Sequence, residues 1–144
     1  MSLAPLTEAP WVILAHVAAV VVSLLLGPLQ LILPKGSQTH RTMGRVWSGA
    51  MVIACISALL IFDRPMPPNL GPISWLHLLA VFTLVLLYRA VRLAQAGKIE
   101  KHRKAMLGLV ILGLGVPAVF AFAAPGRILN RVLFETQNGA RPSP

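Results

Sequence analysis

The stretch that decides the fold is residues 11–34, WVILAHVAAVVVSLLLGPLQLILP, which contains no charged side chain. A transmembrane helix needs about 20 predominantly apolar residues, so this stretch predicts a span. It has no basic leading segment and no small-residue cleavage site, and it is longer than the apolar core of a signal peptide. We therefore expect a retained helix and not a cleaved leader.

Three further apolar segments follow, at about residues 42–62, 73–93 and 103–124. The second of these reaches span length because Arg89 and Arg92 can extend to the membrane interface. Short connections make consecutive helices antiparallel neighbours. The sequence thus predicts an all-α integral membrane protein, an antiparallel bundle of four transmembrane helices within residues 1–128.

Composition supports the membrane interpretation. Of the residues, 56% are hydrophobic and 12% are charged, whereas soluble domains average about 25% charged residues. The net charge of +9 could suggest nucleic-acid binding, but the apolar content excludes that class, and basic loops facing anionic lipid explain the charge. The single cysteine, Cys55, excludes an intrachain disulfide and a cysteine-based metal cluster.

Smaller features refine this architecture. Ala19, Ser23 and Gly27 form a small-residue stripe suited to close helix packing. Residues 127–144 are predicted to form a separate part, with a short amphipathic helix at the membrane surface followed by a disordered tail.

Charge asymmetry predicts the orientation, because cytoplasmic loops are enriched in Lys and Arg. The side that holds the first and third connections carries Lys35, Arg41, Arg45, Arg89, Arg92, Lys98, Lys101, Arg103 and Lys104. The other side carries Arg64, Arg127, Arg131 and Arg141. We expect the first side to be cytoplasmic, with both termini periplasmic in a bacterial inner membrane.

The histidines carry the functional signal. His16 and His77 lie near the starts of the first and third helices, which run in the same direction. His40 and His102 lie at the starts of the second and fourth helices. The topology therefore predicts two level pairs, an outer pair, His16 and His77, and an inner pair, His40 and His102.

An internal similarity accompanies the pairs. His40-Arg41 follows His16 at nearly the spacing at which His102-Arg103 follows His77. This pattern favours a duplicated helix hairpin with a pseudo-two-fold axis along the membrane normal.

Paired histidines on opposed helices are the ligands that hold a b-type haem, and a bundle core commonly houses such a cofactor. We therefore expect His16 with His77, and His40 with His102, as haem-iron ligands for one or two haems. Arg41 and Arg103 could contact haem propionates or lipid phosphates. No catalytic residue is identified, and buried carboxylates are missing from the apolar segments.

Structural roles are the alternative for these polar residues. A histidine near the interface can simply hydrogen-bond a neighbouring helix. Gln30 could contact a quinone head group, but a hydrogen bond between helices is the favoured interpretation. Aromatic residues near helix ends are typical interfacial anchors, and this role is expected for Trp11, Trp47, Trp75 and Tyr88.

Several motifs resemble a known family over about residues 12–128. They are the stretch from His16 to Gly27-Pro28-Leu29-Gln30, Lys35-Gly36, the run His40-Arg41-Thr42-Met43-Gly44-Arg45, Leu76-His77, the run His102-Arg103-Lys104-Ala105-Met106, and Pro125-Gly126-Arg127. This pattern resembles the bacterial predicted membrane proteins grouped as domain of unknown function 2306, which implies a helical membrane bundle and no particular activity. A looser resemblance, one histidine per helix, is to cytochrome b(561). It implies haem held between alternate helices, on His16, His40, His77 and His102.

Three functions stay open on the sequence. The first is a small b-type membrane cytochrome that carries electrons across the bilayer and exchanges them with quinol. The second is an accessory subunit without cofactor in a larger respiratory or photosynthetic membrane complex. The third is a copper or zinc site, which ranks last because two histidines are few for zinc. The oligomeric state is left open.

Overall fold

The apolar segments fold into long helices in a computed structural model that describes residues 9–61, 69–70 and 73–123. The helical elements, in chain order, are α1 (Trp11–Ile32), α2 (Gln38–Leu59), α3 (Trp75–Gln95), α4 (Ile99–Gly108), a π-helical segment (Leu109–Gly115) and α5 (Val116–Ala123). The last three are continuous and together make a fourth span. Four helices are thus long and apolar enough to cross a membrane, which confirms the predicted all-α four-helix membrane bundle.

The connection between α2 and α3 contains a minimal antiparallel pairing. Strand β1 (Asn69–Leu70) pairs with β2 (Ile73–Ser74), with Asn69 opposite Ser74 and Leu70 opposite Ile73. Ile73 was predicted to start the third helix. That helix begins at Trp75 instead, because the preceding two residues are extended and paired.

Two helices begin earlier than the apolar pattern predicts. α2 begins at Gln38 because the Ser37 side chain accepts a hydrogen bond from the backbone N–H of His40, at 3.1 Å, as an N-cap does. α4 begins at Ile99, several residues before its apolar part. Apolar composition marks the part of a helix that lies in lipid, and polar residues extend both helices beyond it.

The α1–α2 turn is closed by a lysine. Lys35 Nζ donates to the carbonyl oxygens of Gln30 and Leu31, at 2.8 and 2.6 Å, and so satisfies carbonyls that a helix end leaves unpaired. Gly36 follows with a φ of 80°, which a residue without a side chain adopts at little cost.

The helices pack in a closed order. α1 contacts α2, α2 contacts α3, α3 contacts α4 and the π-helical segment, and the π-helical segment returns to α1. In this order α1 lies opposite α3, and α2 lies opposite the fourth span. The buried core cluster between them consists of Trp47, Met51, Leu87, Ala90, Leu109 and Leu114.

Trp47 of α2 packs against the small-residue stripe of α1. Ala19, Ser23 and Gly27 are buried, and Trp47 is 0% exposed. A Cβ at Gly27 would lie 3.2 Å from Trp47 Nε1, so a larger residue there would crowd the indole. The expectation that Trp47 is an interfacial anchor is therefore wrong, because the small stripe leaves room for the ring inside the bundle.

The π-helical segment ends two residues before Pro117. Pro117 has no N–H to donate to the carbonyl of Gly113, and such positions are where helices commonly bulge. The segment sets Gly113 so close to α3 that a Cβ there would lie 2.9 Å from Thr83 Cγ2. A π-helical stretch occurs in the second hairpin, whereas α2 is a continuous α-helix in the first. The predicted surface helix and tail, residues 127–144, lie outside the described residues.

Candidate functional site

The four histidines lie at the two ends of the bundle. The end that holds the α1–α2 and α3–α4 turns is called the inner end, and the opposite end the outer end. His16 is in the second turn of α1 and His77 in the first turn of α3, both at the outer end. His40 and His102 are in the first turns of α2 and α4, at the inner end.

His16 bonds to the last turns of α2. Its Nδ1 lies 2.9 Å from the Ala54 carbonyl oxygen and 3.0 Å from Ser57 Oγ. A carbonyl cannot donate, so Nδ1 carries the proton, and the neutral ring keeps its lone pair on Nε2. Ser57 Oγ can donate its own proton to the Ile53 carbonyl oxygen, at 2.7 Å, and therefore accepts from His16.

His102 repeats this arrangement at the inner end. Its Nδ1 lies 2.8 Å from the carbonyl oxygen of Ala90 on α3, and Ala90 is completely buried. The same reasoning places the proton of the neutral ring on Nδ1 and the lone pair on Nε2. Two of the four candidate ligands are thus oriented by a backbone carbonyl of an adjacent helix.

His40 lies at the same end of the bundle as His102, since each is in the first turn of its helix. His40 Nδ1 is buried and has no hydrogen-bond partner within the described part of the chain. The structure therefore brings the inner pair to one end of the bundle, on opposite helices.

Gln30 connects α1 to the start of α2. It is 6% exposed, and its Nε2 donates to the His40 carbonyl oxygen at 3.2 Å. The favoured interpretation of Gln30, a hydrogen bond between helices, is confirmed. The backbone at His40 is thereby held from α1.

The remaining candidates differ in exposure. His77 is partly buried on α3, opposite α1, while Arg41 and Arg103 are exposed at the inner end. Both arginines lie near the starts of their helices, directly after His40 and His102 in the chain.

The side chains available as metal ligands limit which metal could bind. Among residues 9–61, 69–70 and 73–123, no group of three or more His, Cys, Asp or Glu side chains could hold a metal ion. Zinc normally takes four ligands in structural sites and three in catalytic sites. The described residues thus do not favour the zinc interpretation, whereas a haem iron needs only two axial side chains.

Sequence reasoning missed Ser57, the side-chain partner of His16. The signal for it was available, because Ser57 is the one hydroxyl residue in the apolar second half of α2. What could not be read from the sequence is the rotation of α2 that turns this hydroxyl toward α1.

Comparisons with known proteins give one match. The family described as "Predicted membrane protein (DUF2306)" matches residues 13–130. Neither characterised proteins nor solved structures gave a match.

Proposed function

Because the chain belongs to the predicted membrane protein family DUF2306, whose description names no activity, we propose a function from its own residues. The protein is a small b-type cytochrome-like membrane protein that carries electrons across the bilayer. His16 with His77, and His40 with His102, would hold one or two haems. Haem b, when bound, supplies one-electron redox chemistry at its iron.

One observation carries the proposal. His16 and His102 each donate Nδ1–H to a backbone carbonyl, at 2.9 and 2.8 Å. Histidines that ligate metals almost always use one nitrogen in this way, which fixes the tautomer and leaves the other nitrogen to bind. A structural histidine can make one such bond, so what favours ligation is that the same bond occurs at both ends of the bundle.

Two further features support it. His40 and His102 lie in the first turns of α2 and α4, which are opposite helices, at the inner end. The closed helix order sets α1 opposite α3, so the outer pair also belongs to opposite helices. Arg41 and Arg103 would contact propionates or lipid phosphates, and a quinone is a plausible exchange partner for electrons.

The orientation is part of the proposal. All Lys and Arg side chains among the described residues belong to the inner end. By the preference of cytoplasmic loops for Lys and Arg, the inner end faces the cytoplasm and both termini the periplasm of a bacterial inner membrane. The outer histidine pair would then exchange electrons on the periplasmic side.

An optical spectrum tests the proposal. The full chain is purified in mild detergent after expression with haem precursor supplied, and oxidised and reduced spectra are recorded. A Soret band and sharp reduced α-bands, with haem close to one or two per chain by the pyridine haemochrome assay, are expected. A colourless protein that accepts no added haemin would overturn the proposal. If it then copurified with a large respiratory or photosynthetic complex, the accessory-subunit function would take its place.

A further inference from the structure

A basic groove lies at the inner end, on the outside of the bundle. It has a volume of about 320 Å³ and is lined by Tyr88, Arg89, Arg92, Leu93, Ala96 and Lys98. None of the four histidines lines it. The groove is therefore distinct from the candidate haem sites.

The turn after α3 builds the groove. The N–H of Lys98 donates to the Leu93 carbonyl oxygen at 2.9 Å, and the N–H of Gly97 donates to that of Ala94 at 3.1 Å. These two bonds form a Schellman motif, and the φ of 69° at Gly97 is the left-handed conformation that the motif requires. The motif turns Lys98 back over the last turn of α3, beside the two arginines.

No acidic residue lines the groove among the described residues. Glu100 is the only acidic residue in the described part of the chain, and it makes no ion pair with another described residue. Arg92 Nη1 lies 3.5 Å from Gln95 Oε1, a neutral acceptor. Three cations around one concave surface therefore favour an anionic ligand.

The groove also has an apolar side. Leu93 and Ala96 line it beside the cations, and Tyr88 is 66% exposed, as expected of an aromatic residue at the membrane interface. From Tyr88 an exposed apolar stripe continues along α3 toward the outer end, through Val85, Phe82, Val81 and Leu78. An acyl chain could lie along this stripe while its head group occupied the groove.

We propose that the groove binds the phosphate of an anionic phospholipid from the leaflet at the inner end. Arginine side chains bind phosphate oxygens through two parallel N–H donors. Basic pockets at the cytoplasmic ends of transmembrane helices are suited to such head groups. A free phosphate ion would use the same cations but would gain nothing from the apolar stripe. The proposal does not depend on haem binding.

Lipid binding to charge variants tests this. The full chain in neutral detergent is titrated with dioleoylphosphatidylglycerol and with dioleoylphosphatidylcholine, and bound lipid is counted by native mass spectrometry. We expect the anionic lipid to bind more tightly. The pair Arg89→Gln with Arg92→Gln should weaken that binding by about thirtyfold.

The matched control is Lys101→Gln with Lys104→Gln, which removes the same charge from the same end of the bundle outside the groove. It should change binding by less than about threefold. Equal weakening in both pairs would overturn the proposal, because it would mean diffuse attraction and no site. The charge-conserving pair Arg89→Lys with Arg92→Lys keeps the positive charge but loses the paired N–H donors, so it should weaken binding less than the glutamine pair does. Loss equal to that of the glutamine pair would also overturn the proposal.

Inorganic phosphate separates the two sources of the anion. In large excess over the lipid it should not displace dioleoylphosphatidylglycerol from the wild-type protein. Displacement at concentrations similar to that of the lipid would overturn the assignment to a lipid and would assign the groove to a free phosphate.

Discussion

Trp47 donates its indole N–H to the backbone carbonyl oxygen of Ser23, at 3.0 Å, across the interface between α1 and α2. Both residues are completely buried. The bond ties the largest side chain of the core to the small-residue stripe of the facing helix. Hydrogen bonding and close packing therefore coincide at the α1–α2 interface.

Replacing Trp47 with phenylalanine should destabilise the bundle by about 1–2 kcal/mol. The variant loses a hydrogen bond between helices, about 0.6 kcal/mol on average in membranes, and leaves unfilled volume in the core. The free energy of unfolding in bicelles measures this. Trp11→Phe is the control, since Trp11 is 75% exposed, and equal destabilisation by the two changes would contradict the packing role of Trp47.

Span number and order could be predicted because apolar length alone sets which segments can cross lipid. Helix ends could not, because a cap such as Ser37 and the polar first turn of α4 are not part of the apolar pattern. The predicted interfacial position of Trp47 was wrong for a related reason. A tryptophan suits both an interface and a core, and helix rotation decides between them.

For the candidate site, the sequence predicted only the end of the bundle at which each histidine lies. Topology alone placed His40 and His102 at one end, and the structure has them in the first turns of opposite helices there. The partners of the histidines, such as the Ala90 carbonyl, were not predictable, since backbone acceptors have no residue-type signal. The π-helical segment was not predictable either, because hydropathy does not distinguish one helical hydrogen-bond pattern from another.

Gly113→Ala should destabilise the protein by about 1–3 kcal/mol, the usual range for overpacking. The new Cβ would lie 2.9 Å from Thr83 Cγ2 and 3.2 Å from Thr83 Oγ1, and a β-branched side chain on a helix has few rotamers to move into. Thermal unfolding in detergent is the measurement.

Two further variants make this prediction specific. Gly49→Ala should be neutral or slightly stabilising, because nothing lies within 4 Å of a Cβ at Gly49 and alanine favours helix. Adding Thr83→Ala to Gly113→Ala should recover part of the loss. Failure of that pair to recover any stability would show that the contact is not the source of the destabilisation.

Reporter fusions should locate the inner end. Fusions at Gly36 and Gly97, in the α1–α2 and α3–α4 turns, are expected to give cytoplasmic signals, and a fusion after Gly139 a periplasmic one. Paired alkaline phosphatase and fluorescent-protein reporters at each position provide opposite readouts. A cytoplasmic signal after Gly139 would overturn the orientation but would leave the level pairing of histidines intact.

His77→Leu separates an electron carrier from a structural subunit. If the outer pair holds a haem, the variant should insert normally, because leucine is favourable in lipid, and should lose the outer haem. Haem per protein should then fall by half, or to none if only one site exists. The corresponding change at the inner end, His102→Leu, should remove only the inner haem and leave the outer haem in place. If the chain is a structural subunit without cofactor, each change removes no more than hydrogen bonds between helices, about 0.6 kcal/mol each, and the variant should still assemble with its partner complex. Ser57→Ala is the matched control at the outer end. It leaves His16 its bond to the Ala54 carbonyl, 2.9 Å away, and should preserve the haem.

Two outcomes would contradict the prediction. Unchanged haem in the His77 variant would end the outer-site assignment. Loss in the Ser57 variant as large as in the His77 variant would mean that packing at this end, and not ligation, controls haem retention.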